Sequence, residues 1–262
     1  MQPKIIRLLK GTNRDRRFKE LLPDHFLAVS PTSGKSQPGA KIHFPTFEKN
    51  IFALKMASLQ NIRAIIFDLG GVILNIDYSA TENAFRALGI PDFDNRFSQL
   101  TQDTFFDDWE TGRLSTEDWL SGMKKICGDA VSEDQITNAW NAMLLDLPLS
   151  RLRLLQQLRN RYDLFLLSNT NEIHERAFNE ILRQQTGLPS LGVLFDKVYY
   201  SHRIGLRKPD EAPFRKILEE NGLEATQTLF IDDSPQHIET ARRLGLQTVH
   251  LVPPRTIEDI FR

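Results

Sequence analysis

One cysteine, Cys127, stands alone among 262 residues. No intrachain disulfide framework can form, and the chain fits a reducing compartment, so the cytoplasm is the expected location. That lone thiol lies in a polar helical pattern and reads as incidental rather than catalytic. Long apolar runs are missing as well. Nothing approaches the length needed to span a bilayer, and no uninterrupted apolar core precedes a small-residue cleavage site near the start, so no membrane partner is expected. A basic surplus is absent from most of the chain. The formal net charge is −1, but residues 1–55 hold 11 Lys and Arg against 4 Asp and Glu, leaving 22 against 30 for the rest. A body this acidic argues against nucleic acid as the partner.

What is present is a globular composition, 40% hydrophobic and 26% charged, in a chain long enough to bury a proper core. Residues 1–57 carry the basic surplus. Pro, Ser and Gly are scattered over 30–39 and no helical or strand period is sustained, so a flexible extension is expected there. The first strong signal follows it. Ala64-Ile65-Ile66-Phe67 is a continuous apolar run, the pattern of a strand buried on both faces. It ends in Asp68, and Gly70-Gly71 comes next. A carboxylate is thereby delivered to the carboxyl end of a strand, where open α/β sheets place their ligands, beside glycines that let the backbone come close. Taken alone, the pattern suits a turn-capping Asp as well as a nucleophile or metal ligand.

Between about Asn75 and Leu147 strand signals disappear. Capping-box spacings begin at Ser79, Ser115 and Ser132, and large apolar residues follow at helical intervals: Trp119, Met123 and Ile126, then Ile136, Trp140 and Met143. From Pro148 helices and strands alternate. Helices are predicted at 150–160, 172–185, 211–220 and 235–244, and strands at 164–167, 197–200, 228–231 and 247–250. Alternation of this kind predicts an α/β fold with a parallel sheet and right-handed crossovers. In such a sheet Asp68, Ser168-Asn169, Lys208 and Asp232-Asp233, each on a loop behind a predicted strand, meet at one carboxyl edge.

Asp68-Leu69-Gly70-Gly71-Val72, Leu167-Ser168-Asn169-Thr170-Asn171 and Arg207-Lys208-Pro209, in this order, resemble the haloacid-dehalogenase-like hydrolase superfamily over about residues 62–251. Within it they resemble the sugar-phosphate phosphatases of the α-glucose-1-phosphate phosphatase type. The resemblance implies a Rossmann-like, doubly wound parallel sheet formed by 58–77 and 148–262, with an α-helical cap, 78–147, inserted after the first strand. It also implies roles. Asp68 attacks phosphorus and forms an aspartyl-phosphate. Ser168, the Asn169 amide, Lys208 and the Gly70-Gly71 backbone hold the phosphoryl group. Asp68, Asp232, Asp233 and the Gly70 carbonyl hold Mg2+. The implied activity is magnesium-dependent hydrolysis of a small phosphorylated metabolite, such as a sugar phosphate, with charge stabilisation as the main requirement.

One departure stands out. Phosphatases of the superfamily usually carry a second Asp two residues after the nucleophile, to protonate the leaving group; here the position is Gly70, and the subgroup this chain resembles also has Gly there. Loss of such a group typically lowers rates by about 10²–10⁴-fold. Asp77, the cap or water are the available substitutes. Two other readings follow: carbon–halogen cleavage, which needs no proton donor but leaves Asp232-Asp233 without a purpose, and a catalytically weak binding protein on the same fold. His174, His202, His237 and His250 share no ligand spacing and are expected to be structural or exposed, although His202 falls just before Lys208. Trp109, Glu110 and Arg113 cluster at a turn between predicted helices and are candidates for substrate selection as the cap closes.

Overall fold

The structure is a computed structural model and describes residues 61–90, 93 and 104–261. The extension expected at 1–57 lies outside the described residues. The strands are β1 (Ala64–Phe67), β2 (Asp163–Ser168), β3 (Lys197–Tyr200), β4 (Thr228–Asp232) and β5 (Gln247–His250). Between β1 and β2 come helices α1 (Tyr78–Ala87), α2 (Thr104–Glu110), α3 (Thr116–Cys127), α4 (Glu133–Asn141) and α5 (Leu149–Leu158). The later helices are α6 (Glu172–Thr186), α7 (Ser201–Ile204), α8 (Glu211–Asn221), α9 (Pro235–Arg243) and α10 (Glu258–Phe261).

All five strands run parallel, in the order β3-β2-β1-β4-β5. Every residue of β1 is buried, as a continuous apolar run requires. Ala64 and Ile66 join Phe165, Leu167, Tyr199 and Phe230 on one face, under Phe214 and Ile217 of α8 and Ile238 and Ala241 of α9. On the opposite face the Phe67 ring meets Phe195 and Phe261. Burial of each such side chain contributes about 1.5–3 kcal/mol, so both faces hold the central strand in place. The chain moves outward from β1 through β2 and β3, then crosses back to set β4 against the other side of β1. That reversal opens a crevice beyond the carboxyl ends of β1 and β4, the usual ligand position in such sheets. Phe67 and Ile231 are register partners, so Asp68 and Asp232 leave the sheet side by side.

Helices α1–α4 share an apolar centre of their own. Trp109 stacks on Trp119 with ring centroids 3.8 Å apart, and Phe106 stacks on Trp140 at 5.5 Å; Phe85, Met123 and Ile136 complete it. Trp119, Met123, Ile136, Trp140 and Met143 are buried as their spacing predicts, whereas Ile126 is 37% exposed. Helix starts follow the capping signals with one correction. Ser132 and Gln135 form a reciprocal capping box, and the Ser115 hydroxyl accepts from the Asp118 amide at 3.0 Å. The first helix, however, starts at Tyr78, not after Ser79. Asp77 caps it, its carboxylate accepting from both the amide and the hydroxyl of Ser79 at 2.9 and 2.6 Å. Asp and Ser are comparable caps, and Asp77 takes the position because it engages both donors of Ser79. A second difference is α2, whose last residues are the Trp109 and Glu110 expected in a turn.

The helical insert meets the sheet's flanking helices at α6. Ile173 packs into the insert's apolar cluster, and the His174 ring stacks on Trp140 at 4.9 Å. His174 Nε2 donates to the Trp140 carbonyl at 3.1 Å, while Nδ1 accepts from the Asn171 carboxamide at 3.4 Å. Both contacts suit a neutral ring. Burial pushes the imidazole down to about 4, against a smaller upward effect of the Trp140 carbonyl. The unfolded chain takes up this proton near pH 6.5 and the folded chain does not, so acid favours unfolding. The stability held above pH 6.5 falls as pH drops toward 4, by about 2 kcal/mol at pH 5 from this residue. Urea unfolding at pH 7.5 and pH 5 should show that loss in the wild type. His174→Gln, which keeps a donor for Trp140, should remove it.

Candidate active site

The crevice beyond β1 and β4 is built from charged groups that the fold buries together. Lys208 is 0% exposed and extends its Nζ to Asp68 at 2.8 Å and to Asp232 at 2.6 Å. Asp232, also fully buried, accepts from the Ser234 amide at 2.7 Å and from His237 Nδ1 at 3.0 Å. Its oxygens are therefore occupied by Lys208, His237 and the main chain. Buried charges persist only when paired and hydrogen-bonded, a condition this cluster meets. Burial alone would lift the Asp232 carboxyl, but Lys208 and His237 outweigh it and hold it below the usual carboxylate range. Burial likewise lifts Asp68, and Asp232 adds to this, so Asp68 stays above its ordinary value despite Lys208. Lys208 is pulled down by burial and up, more strongly, by Asp232 and Asp68. It remains an ammonium.

The loops after β2 and β3 are locked together. The Asn169 carboxamide grips the main chain of Lys208 at both ends, donating to its carbonyl at 2.8 Å and accepting from its amide at 2.9 Å. The Ser201 hydroxyl bridges the amide and carbonyl of Thr170, each at 2.9 Å. Ser168 closes β2 as a buried residue. Sequence reasoning assigns the amide of Asn169 to the phosphoryl group and has no signal for this side-chain grip on Lys208. It also leaves His237 outside the site. The one signal for that residue is its place in the first turn of α9, five residues after Asp232.

The two glycines differ. Gly71 has φ +69°, and a Cβ built there would lie 2.3 Å from Asp233 Oδ2. Only glycine lets Asp233 occupy that space. Burial, then Asp68 and Asp232, raise the Asp233 carboxyl to about 7; its carbonyl accepts from His250 at 2.9 Å. At Gly70 the neighbour is apolar, and a Cβ there would lie 3.0 Å from the Ile76 Cδ1. Asp77, considered as a substitute acid, is engaged in capping α1.

The remaining candidates lie on the insert. Trp109 is 1% exposed, stacked on Trp119, and its indole donates to Thr116 at 3.2 Å. That placement makes it part of the insert's core. Arg113 is exposed and paired with Asp108 at 2.7 Å. Glu110 is buried and lies 3.4 Å from Arg207, which also pairs with Asp107. Tyr78 reaches the same region: burial, then Asp233, Asp68, Glu110 and Asp232, push its hydroxyl far up, so it remains a phenol. His202 is held between the Thr170 carbonyl and Glu175, at 3.1 Å to each.

The arrangement presents one carboxylate, Asp68, against a fixed ammonium, with a second carboxylate pair beside it. Ligand atoms of Asp68, Asp232 and His237 lie within 4.8 Å of one another, but Lys208 already supplies positive charge between the two carboxylates. Asp233 stands beside them as a third acidic group, raised by burial and by the other two carboxylates. Carboxylate oxygens on that side fit a hard divalent cation such as magnesium.

Residues 62–245 match the model of the haloacid dehalogenase-like hydrolases. The chain belongs to that family. The hydrolase is 31% identical over 187 residues to D-ribitol-5-phosphate phosphatase of Bacteroides thetaiotaomicron, covering 71% of this chain and 90% of the relative. Among solved structures it resembles a haloacid dehalogenase family enzyme of the same organism in complex with magnesium and inorganic phosphate. That likeness has a TM-score of 0.67 at 31% identity, over 77% of this chain and 100% of the other. A predicted hydrolase of the family from Porphyromonas gingivalis gives a TM-score of 0.64 at 33% identity, over 72% and 90%. These matches establish the family and not the narrower α-glucose-1-phosphate type. Among the described residues no helix is long and apolar enough to cross a membrane.

Proposed function

We propose that the hydrolase is a magnesium-dependent phosphatase acting on a small phosphorylated polyol or sugar through an aspartyl-phosphate on Asp68. The observation that carries this reading is the contact of Asp68 with a fully buried lysine at 2.8 Å. The phosphatase activity of a relative that covers most of the chain supports the substrate class.

In the first half-reaction an Asp68 oxygen bonds to phosphorus as the bond to the leaving oxygen breaks. In the second, water attacks phosphorus, phosphate departs and the Asp68 carboxylate is restored. Lys208 balances the charge on Asp68 and on the transferring group. Ser168 and the Asn169 amide hold phosphoryl oxygens. Asp68, Asp233 and the Gly70 carbonyl would hold magnesium, with Asp232 behind them anchoring Lys208; the metal supplies positive charge to the phosphoryl oxygens. With Ile76 against Gly70, the leaving oxygen takes its proton from solvent. Helices α1–α4 act as a cap, in which the end of α2 and the turn behind it select the leaving group, Glu110 from its buried side, Arg113 from its rim and Trp109 as support.

Carbon–halogen cleavage gains no support. It needs no cation, and the crowding of Asp233 by Asp68 and Asp232 favours one.

A panel of phosphate monoesters, with and without magnesium, tests the proposal. Magnesium-dependent phosphate release from polyol or sugar phosphates is expected; no release above buffer from any ester defeats it. Gly71→Ala gives a second check. The new Cβ must displace Asp233, so the magnesium concentration for half-maximal activity should rise about 10–100-fold.

A further inference from the structure

Arg207 directly precedes Lys208 and carries two contacts to the cap. Its guanidinium pairs with Asp107 and, at 3.4 Å, with Glu110, both on α2. Glu110 is only 5% exposed, which limits screening of this pair by water and salt. Main chains meet alongside it. A Cβ at Gly112 would fall 2.5 Å from the His202 carbonyl oxygen, so the cap turn sits directly on the segment leading to Lys208. On its other side Lys208 is gripped by Asn169 and reaches Asp68 and Asp232. A continuous line of contacts thus runs from two cap carboxylates through one guanidinium to the ammonium on the nucleophile.

We propose that Arg207 is a positioning residue that couples the seating of the cap to the placement of Lys208 against Asp68. Two carboxylates on one helix hold the guanidinium in a single orientation, and one peptide unit passes that restraint to Lys208. Lifting α2 removes both partners together. The segment 205–209 then loses these two restraints on the cap side, while the Asn169 grip and the Lys208 contacts to Asp68 and Asp232 remain on the other. The site is fully assembled only while the cap is down, which ties turnover to an enclosed substrate. The catalytic half of this inference rests on the phosphatase reading; the mechanical half does not.

The test combines hydrogen–deuterium exchange with kinetics on the full chain, using Arg207→Gln, Asp107→Asn and the charge-reversed pair Asp107→Arg with Arg207→Asp. Both single variants should speed exchange at 104–112 and at 205–209 together, and the reversed pair should recover part of it. Both should also lower kcat about 10-fold or more for acetyl phosphate, a substrate too small to need selection, because the displaced group is Lys208 itself. Faster exchange confined to 104–112 overturns the coupling. So does a rise in KM for larger esters with kcat for acetyl phosphate unchanged. If the wild type hydrolyses no ester, the phosphatase reading fails, and exchange at 205–209 still decides whether cap and lysine are coupled.

Discussion

Asp68→Asn should lower phosphate release by about 10⁴-fold or more while leaving the protein folded. An amide oxygen of nearly the same shape fills the same space at the end of β1, but it is a poor nucleophile and carries no charge. Folding should be unharmed, because burial disfavours the ionised Asp68 and the neutral residue removes that penalty. Lys208 keeps Asp232 at 2.6 Å, so it is not stranded. Thermal unfolding should show an unchanged or raised Tm alongside the lost turnover. Retention of wild-type kcat would remove Asp68 from the chemistry.

Lys208→Met should behave differently, losing both stability and catalysis. The ammonium is fully buried against Asp68 and Asp232; deleting it leaves two buried carboxylates facing each other. Removing one partner of a buried pair typically destabilises by about 3–5 kcal/mol. Loss of a charge aimed at the transferring group lowers kcat by roughly 10²–10³-fold. The two effects separate in the double variant Lys208→Met with Asp232→Asn, which removes the stranded charge. Urea unfolding should show much of the stability restored, and kcat should stay low. Recovery of activity along with stability would assign Lys208 to the fold alone.

Much of this site is legible in the sequence because its residues close buried strands. Continuous apolar runs locate β1, β2 and β4, and a polar residue that ends such a run in a parallel sheet can emerge only at the carboxyl edge. Asp68, Ser168 and Asp232 are read that way; Lys208 follows from its place behind β3. Local capping chemistry is legible wherever one acceptor dominates, as at Ser115 and Ser132, and misread where two compete, as at Asp77 and Ser79. Contacts between distant loops leave no such trace. Asn169 reaches Lys208 across 39 positions, and Glu110 meets Arg207 only after the chain has passed through β2 and β3. Trp109 shows the opposite limit. An aromatic in a charged turn looks like a substrate contact, yet its indole is consumed by packing on Trp119. The filling of space at Gly70 by Ile76 is equally invisible, since a missing acid says nothing of what occupies its place.

Covalent capture of the phosphoryl group tests the central claim most directly. Enzyme mixed with magnesium and a hydrolysed monoester, quenched in acid within the first turnover, should yield a peptide carrying one phosphoryl group on Asp68. Turnover that continues with no phosphoryl group on Asp68 in the quenched enzyme would contradict it.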